Sequence, residues 1–257
     1  MNIEYINKIN DKRPIETKKI YKKKGNHMKG TLYGVGVGPG DPELLTLQAV
    51  RIIRESDVIF APGKVPEETT AYQIAAGAVP ELASKEAEGL YMPMTKDEEA
   101  RKKAHEDAAK RILAVLEQGK TAAYLTLGDP CIYSTYLYVH RKVEAAGYPA
   151  KLINGIPSFL AVSAALDEGL VEKDQMLHLI PASYPIAEGL SLSGTKVLMK
   201  AGKEAARVRD YLKENGQKVQ AVERCKMDGE KIYRSLDEIP DDLSYYSIMV
   251  VKDAGGQ

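Results

Sequence analysis

The segment from Gly34 to Val50 reads GVGVGPGDPELLTLQAV, a glycine-lined strand end followed by a helix start. A dinucleotide-binding loop requires the spacing G-x-G-x-x-G, but Pro39 or Asp41 stands where the third glycine would be. A P-loop ends in G-K-S/T, and no lysine follows Gly40. Asp41 would also put a negative charge where a pyrophosphate binds. The segment therefore indicates a close approach to the backbone without phosphate binding, or a strand–turn–helix corner without any ligand.

A second corner follows the apolar run TAAYLTL, which is typical of a buried parallel strand. That run ends in LTLGDP, from Leu125 to Pro130. Ligands in open α/β sheets bind outside the carboxyl ends of the strands. The GPGD and GDP corners therefore predict one shared crevice, where Asp129 could face a ribose hydroxyl or a cation. The alternative is that Asp129 only caps the following helix.

Composition excludes several classes of function. The 257 residues contain 36 Lys and Arg against 36 Asp and Glu, and this zero net charge argues against a nucleic-acid partner. No apolar run approaches the roughly 20 residues that cross a bilayer, so we expect no membrane partner. Cys131 and Cys225 lie far apart, in no metal-binding spacing. They predict a reduced, cytoplasmic protein without a metal site.

Residues 1–28 differ in character from the rest of the chain. The first 27 contain seven Lys and one Arg against two Glu and one Asp, a charge of +5. They contain no apolar core of a secretory signal. We expect a disordered basic leader, with Met28 as the natural start; an arm that binds an acidic partner is the alternative.

The remaining chain predicts two α/β domains, residues 29–147 and 148–257. In the first, strands at TLYGVGVG, DVIFAPG and TAAYLTL alternate with helices. One helix begins after Asp41 with Pro42 at its first position, a long one ends at Gly119, and another ends at Gly147. A short strand at KLING and a helix at SFLAVSAALDEG are predicted directly after the boundary at 147 and 148. The second domain is rich in strands, at LHLIPAS, TKVLMKAG, KVQAVERCKM, EKIYRSL and YYSIMVVKD, with one clear helix at KEAARVRDYLKENG.

The segments GVGVGPGDPELLTLQAV, LTLGDPCIYSTYLYV and NGIPSFLAVSAAL together resemble the tetrapyrrole methylase family. The similarity runs from about Gly30 to the end of the chain. PMTKD, GDPCIYSTY and LIPAS resemble in particular the members that methylate C20 of precorrin-2 or cobalt-precorrin-2 in cobalamin synthesis. The resemblance implies two α/β domains with S-adenosylmethionine (SAM) between them, S-adenosylhomocysteine as product, a tetrapyrrole substrate and a homodimer.

The resemblance also implies site residues. Cofactor contacts are expected at Pro39, Leu127, Gly128, Asp129, Ile132, Pro157, Ser158, Met199 and Cys225. Relatives commonly have Thr where this chain has Pro157, so a hydroxyl is lost there. The GPGD loop, Gly38, Pro39, Gly40 and Asp41, is expected to lie beside the flat macrocycle. Without the resemblance, Met199 would be read as a core methionine.

The chemistry implied is methyl transfer to an electron-rich meso carbon, in which the protein positions the reactants and excludes water. No residue is identified as the base that removes the C20 proton; Asp129, Tyr133 and Asp41 are the candidates. Lys64, Lys96, Arg101 and His105 flank the predicted loops and could meet substrate carboxylates, although ordinary solvated side chains are the alternative. Any cobalt would arrive within the substrate. Another ring position, a diphthine-type protein acceptor, and SAM binding without turnover remain open.

Overall fold

The computed structural model describes residues 29–181, 186–202, 205–215 and 217–253, with only the backbone at 214 and 215. The predicted basic leader, residues 1–28, lies outside the described residues. The described chain forms two five-stranded sheets with helices packed on them, which confirms the predicted α/β class.

The first sheet is entirely parallel, with the strand order β3-β2-β4-β1-β5. Its strands are β1 (Leu32–Gly36), β2 (Val58–Ala61), β3 (Glu86–Gly89), β4 (Ala122–Thr126) and β5 (Ala150–Ile153). All residues of β2 and β4 are buried, as their continuous apolar sequences predict. The adjacent β1 and β4 place the two predicted glycine corners side by side at the carboxyl edge.

Helices cover both faces of this sheet. Helices α1 (Leu47–Glu55) and α2 (Thr70–Ala78) pack on one face, and α3 (Glu98–Leu116) and α4 (Tyr136–Ala145) on the other. Successive strand residues alternate between the two cores: in β4, Leu125 faces α1 and α2, whereas Tyr124 faces α3 and α4.

The second sheet is mixed, in the order β6-β7-β10-β8-β9. Its strands are β6 (Leu177–Pro181), β7 (Thr195–Met199), β8 (Lys218–Glu223), β9 (Lys231–Tyr233) and β10 (Ser247–Lys252). Strands β6 and β7 pair in parallel, and the other strand pairs formed by the described residues of this sheet are antiparallel. Helix α5 (Ser158–Leu166) covers one face, and α6 (Ala187–Leu190) and α7 (Ala205–Asn215) the other. All five strands predicted for this part of the chain are present.

The division between the two sheets lies later in the chain than the predicted boundary at 147 and 148. Strand β5 pairs in parallel with β1 and so completes the first sheet, whereas α5 packs on the second. A boundary before β5 would separate it from its hydrogen-bonded neighbour. We therefore propose that the domains meet at residues 154–157.

Two further predictions differ from the structure. Asp41 caps a 3₁₀ turn, Pro42–Leu44, rather than the α-helix, which begins later behind the cap residue Thr46. Residues 64–95, for which no element is predicted, contain α2 and β3. No helix within the described residues is long and apolar enough to cross a membrane.

The first glycine of the alternating series makes room for a buried tyrosine. A β-carbon at Gly34 would lie 1.9 Å from Cε1 of Tyr136. The Tyr136 side chain is fully buried, and its hydroxyl lies 3.0 Å from Nδ1 of His140. Gly34 is therefore required for α4 to pack closely against β1.

We expect Gly34→Ala to lower the free energy of unfolding by about 1–3 kcal/mol, because the added methyl overpacks a core that cannot yield. Urea denaturation followed by circular dichroism measures this. The matched control is Gly169→Ala, where the nearest atom to a new β-carbon is 3.9 Å away, and its effect should stay within about 0.5 kcal/mol. Equal losses in the two variants would contradict the packing role of Gly34.

Candidate functional site

A cleft of about 650 Å³ lies between the carboxyl edge of the first sheet and the second sheet. One wall is formed by Pro39 and by residues 62–65, 68–71, 126–129 and 132–135. The opposite wall comes from Met199 at the end of β7, Lys200 directly after it, Cys225 after β8, and residues 245–248 at the start of β10. Its size is that of a small-molecule site, and its position is where open α/β sheets bind ligands.

The structure brings the nine expected cofactor residues together on the walls of this cleft. They are Pro39, Leu127, Gly128, Asp129, Ile132, Pro157, Ser158, Met199 and Cys225. They come from loops and strand ends distributed over both sheets, so the fold itself assembles the set.

The corners after β1 and β4 are joined by a pair of backbone hydrogen bonds. The Gly38 N–H donates to the Gly128 carbonyl at 3.2 Å, and the Gly128 N–H donates to the Gly38 carbonyl at 2.8 Å. Both glycines have a positive φ, +77° and +70° respectively, in the left-handed region that other residues adopt at a cost. The bridge holds Pro39 and Leu127, the residues next to these glycines, at the cleft.

A third loop, after β5, packs directly on these two corners. A β-carbon at Gly36 would lie 2.6 Å from the Gly155 nitrogen, and one at Gly155 would lie 2.2 Å from the Gly128 carbonyl oxygen. Three glycines from three strand ends therefore meet backbone to backbone. This contact explains the glycine pattern of the sequence better than a ligand does.

Asp129 links the same loops through its carboxylate. Its Oδ1 accepts the Cys131 N–H at 2.7 Å, and its Oδ2 accepts the Asn154 side-chain amide at 3.0 Å and the Gly155 N–H at 3.1 Å. The residue is 6% exposed. Asp129 thus joins the β4 corner to the β5 loop, and it does not cap the following helix, which begins at Tyr136 behind Thr135.

Two residues of the second-sheet wall, Met199 and Cys225, are uncharged and polarizable. Met199 ends β7, and Cys225 follows β8 in a buried position. Burial, reinforced by the nearby Glu230 carboxylate, raises the pKa of the Cys225 thiol to about 12. Because the thiolate is the reactive form, a thiol that stays protonated at neutral pH is no nucleophile. Cys225 can therefore contact a ligand but not attack it.

Pro157 and Ser158 form the start of α5. Pro157 occupies the N-cap position and makes no side-chain cap hydrogen bond. Because proline has no side-chain hydroxyl, any contact from residue 157 to a ligand would involve its carbonyl or its ring.

Several residues that line the cleft are not predicted from the sequence, and one of them has a polar group without a hydrogen-bond partner among the described residues. The Ser247 side chain is 1% exposed, lines the cleft, and its hydroxyl has no hydrogen-bond partner among the described residues. A buried hydroxyl without a partner costs free energy, so this wall fits a ligand with a polar edge. Ser247 ends the sequence YYS at 245–247, which begins a predicted strand. Nothing in this sequence pattern distinguishes a ligand-binding residue from an ordinary strand residue.

Two tyrosine hydroxyls cross the cleft between its two sides. The Tyr133 hydroxyl donates to the Leu179 carbonyl at 3.0 Å, and the Tyr246 and Thr70 hydroxyls lie 3.2 Å apart. Tyr133 and Tyr246 both line the cleft. These bonds fix the spacing of the two walls.

Other predicted residues lie outside the lining of the cleft. Gly40 packs against the Lys226 carbonyl and the Met227 side chain, and Asp41 accepts the Glu43 N–H at 2.9 Å. Gly38, Lys96 and Arg101 do not line the cleft either. His105 stacks on Tyr138 with ring centroids 4.8 Å apart, and burial lowers its pKa. Of the expected macrocycle contacts only Pro39 is on the wall, because Gly40 and Asp41 are used in packing and capping.

The three candidate bases differ in availability. Both oxygens of Asp129 already accept hydrogen bonds, and Asp41 lies outside the cleft lining. Tyr133 is on the wall and keeps an acceptor lone pair, although its proton is donated to Leu179. The described residues contain no group of three His, Cys, Asp or Glu placed to hold a metal ion.

Comparison with known proteins identifies the family. The model of the Tetrapyrrole (Corrin/Porphyrin) Methylases matches residues 31–240. The chain is a tetrapyrrole methylase. It is 34% identical to the probable cobalt-precorrin-2 C(20)-methyltransferase of Methanocaldococcus jannaschii, over 88% of this chain and 98% of that protein. It is 32% identical to the precorrin-2 C(20)-methyltransferase of a Sinorhizobium species, over 86% and 95% of the two chains.

Solved structures share the fold of this methylase. The uroporphyrin-III C-methyltransferase of Thermus thermophilus, complexed with S-adenosylhomocysteine, superimposes with a TM-score of 0.66 at 19% identity. The alignment covers 87% of this chain and 97% of that one. At this identity the similarity establishes the fold.

We expect Asp129→Asn to destabilise the methylase by about 1.5–3 kcal/mol, because one amide nitrogen must then face a backbone N–H donor. Asn154→Ala removes only one of the three donors and should cost about 1 kcal/mol. Urea denaturation of both variants checks this ranking. A larger loss in Asn154→Ala than in Asp129→Asn would contradict the central position of the carboxylate.

Proposed function

We propose that this chain transfers a methyl group from SAM to C20 of precorrin-2 or cobalt-precorrin-2 in cobalamin biosynthesis. The observation that carries the proposal is the gathering of the nine expected cofactor residues on one cleft between the two sheets. The relatives at 34% and 32% identity, named for C20 methylation of these two substrates, support the choice of reaction.

The residues present fit SAM as the methyl donor. Leu127, Ile132 and Met199 offer apolar and polarizable contacts, the Cys225 thiol is neutral, and the Ser247 hydroxyl lacks a partner. When bound, SAM supplies an electrophilic methyl group on a sulfonium. A strong nucleophile on this wall would consume that methyl group, so an unreactive Cys225 thiol is what such a site requires.

The contribution of the protein is then placement of two reactants and exclusion of water. The rigid corner formed by Gly38, Gly128 and Asp129 fixes one side of the cleft, and the Tyr133 and Tyr246 hydroxyl bonds fix its width. Formation of a carbon–carbon bond at C20 would require the release of the C20 proton. The proton would leave to water, and Tyr133, which keeps an acceptor lone pair on the wall, could orient that water.

We further propose a homodimer and a cytoplasmic location. The resemblance to the family supports the dimer. The two cysteines, both free in the structure, are compatible with a reducing compartment.

Anaerobic incubation with SAM and, separately, metal-free and cobalt-loaded precorrin-2 tests the reaction. We expect one methyl group per molecule by mass spectrometry, located at C20 by NMR with a labelled methyl. Turnover of only one substrate form would decide between the two named reactions. A methyl at another position, or none despite SAM binding, would overturn C20 methylation.

The cofactor assignment predicts that Asp129→Asn weakens SAM binding about tenfold, because the Leu127–Asp129 corner loses one of its fixed hydrogen bonds. Isothermal titration calorimetry on the folded variant measures this. Gly169→Ala, at a residue that does not line the cleft, should bind SAM as the wild type does. Unchanged affinity in Asp129→Asn would remove this corner from the cofactor site.

A further inference from the structure

Lys200 is a cation of the cleft wall that has no role in the fold. It follows β7 directly and is half-buried, and its ammonium has no hydrogen-bond or ion-pair partner among the described residues. Burial lowers its pKa, the sign of incomplete hydration. A partly desolvated charge without a counter-charge is unfavourable, so it requires an explanation outside the packing of the chain.

The backbone holds Lys200 in a fixed and costly conformation. Its φ is +60°, in the left-handed region that residues with a β-carbon rarely adopt. The next two residues prevent relaxation: Ala201 is fully buried, and a β-carbon at Gly202 would lie 2.4 Å from the Ser244 carbonyl oxygen.

Such conformations concentrate at this cleft. Tyr133, with a φ of +48°, also lines it, and Arg224 and Lys226, at +53° and +60°, flank the lining residue Cys225. Non-glycine residues held in this region accumulate at ligand sites, because the surrounding structure must enforce them.

We propose that Lys200 binds a carboxylate of the tetrapyrrole substrate and so selects polycarboxylate macrocycles. The inference rests on the proposed function. It makes Lys200 a substrate-binding residue that the resemblance does not assign.

Charge decides between the two ligands that could supply this carboxylate. SAM carries an ammonium and a sulfonium against one carboxylate, so a nearby lysine repels it overall. The substrate carries many carboxylates, whose negative charge outweighs that of a single central cobalt ion in the cobalt-loaded form. Lys200 therefore matches the substrate, and its positive charge opposes the cofactor.

Lys64 provides a matched comparison on the same cleft. It is also a lining cation, but it is exposed, and its ammonium lies 5.1 Å from the centre of the Tyr91 ring. A solvated lysine gains little from an ion pair, so Lys64 should contribute much less than Lys200.

The test compares Lys200→Met, Lys200→Arg and Lys64→Met in the full-length protein. Methionine keeps the unbranched side chain and removes the charge, so the backbone requirement at residue 200 is unchanged. We expect Lys200→Met to raise the substrate KM about 10- to 100-fold with kcat within about threefold. Lys200→Arg should recover most of the loss, and Lys64→Met should change KM less than about threefold.

Two readouts separate this role from a structural one. SAM affinity of Lys200→Met, measured by calorimetry without substrate, should be unchanged or tighter. The fall of kcat/KM between about 0.05 and 0.5 M salt should be shallower than in the wild type, because one screened attraction is gone. A substrate KM within twofold of the wild type, or a loss confined to SAM binding, would overturn the proposal.

Direct binding keeps this test independent of turnover. Uroporphyrin III, a stable polycarboxylate porphyrin, serves as the probe, and its fluorescence reports binding. If the wild type binds uroporphyrin III but methylates neither form of precorrin-2, the proposed reaction is contradicted. The role of Lys200 is then still tested by comparing the probe affinity of the wild type with that of Lys200→Met. Equal probe affinity in wild type and Lys200→Met would overturn the role of Lys200 whatever the reaction.

Discussion

The site depends on one close contact, the meeting of Gly36, Gly128 and Gly155 at the carboxyl edge of the first sheet. No β-carbon fits at Gly36 or Gly155, so the loops after β1, β4 and β5 touch through their backbones. The Asp129 carboxylate then closes the contact by accepting hydrogen bonds from the β5 loop. A strand edge that would otherwise end in three independent loops becomes one rigid surface.

The second domain is built onto this surface. The β5 loop leads directly into α5, which packs on the second sheet, so the same contact sets where that sheet begins. Gly40 lies against the backbone of Lys226, beside the Cys225 wall. The Tyr133–Leu179 and Thr70–Tyr246 bonds act across the opening. The shape of the cleft thus follows from loop packing in the first domain and from two hydroxyl contacts with the second.

The sequence predicts the strands well because their signal is local. The apolar runs of β2 and β4, and all five strands of the second sheet, lie where continuous or alternating apolar residues place them. The pairing of β5 with β1 is not local, and it is the reason why we propose a domain boundary after β5 in place of the predicted one at 147 and 148. Helix α2 is short and β3 is partly polar, and neither has a periodic pattern long enough to stand out.

The sequence predicts which residue types form the site better than it predicts what each residue does there. The two corners follow from glycine, proline and aspartate at strand ends, and they do share one cleft. The glycines themselves allow close packing of the loops. The spacing of glycines in a single sequence is the same whether they make room for a neighbouring loop or for a ligand, so the sequence could not distinguish the two. Lys200 and Ser247 could not be predicted as site residues from the sequence. What marks them is a polar group in the cleft without a partner among the described residues, and this can be seen only in the folded structure.

The charges of the two ligands explain how one cleft could serve both. Among the nine expected cofactor residues, the apolar and thiol positions are uncharged, and the one acid, Asp129, is saturated by neutral donors. These nine residues would therefore hold a positively charged donor by shape and hydrogen bonds, and the Glu68 carboxylate lies elsewhere in the cleft lining. A polyanionic substrate beside the donor would supply a counter-charge and would neutralise Lys200 at the same time. Binding of the two ligands would then be mutually reinforcing, and after transfer the donor loses its sulfonium charge and with it part of this attraction.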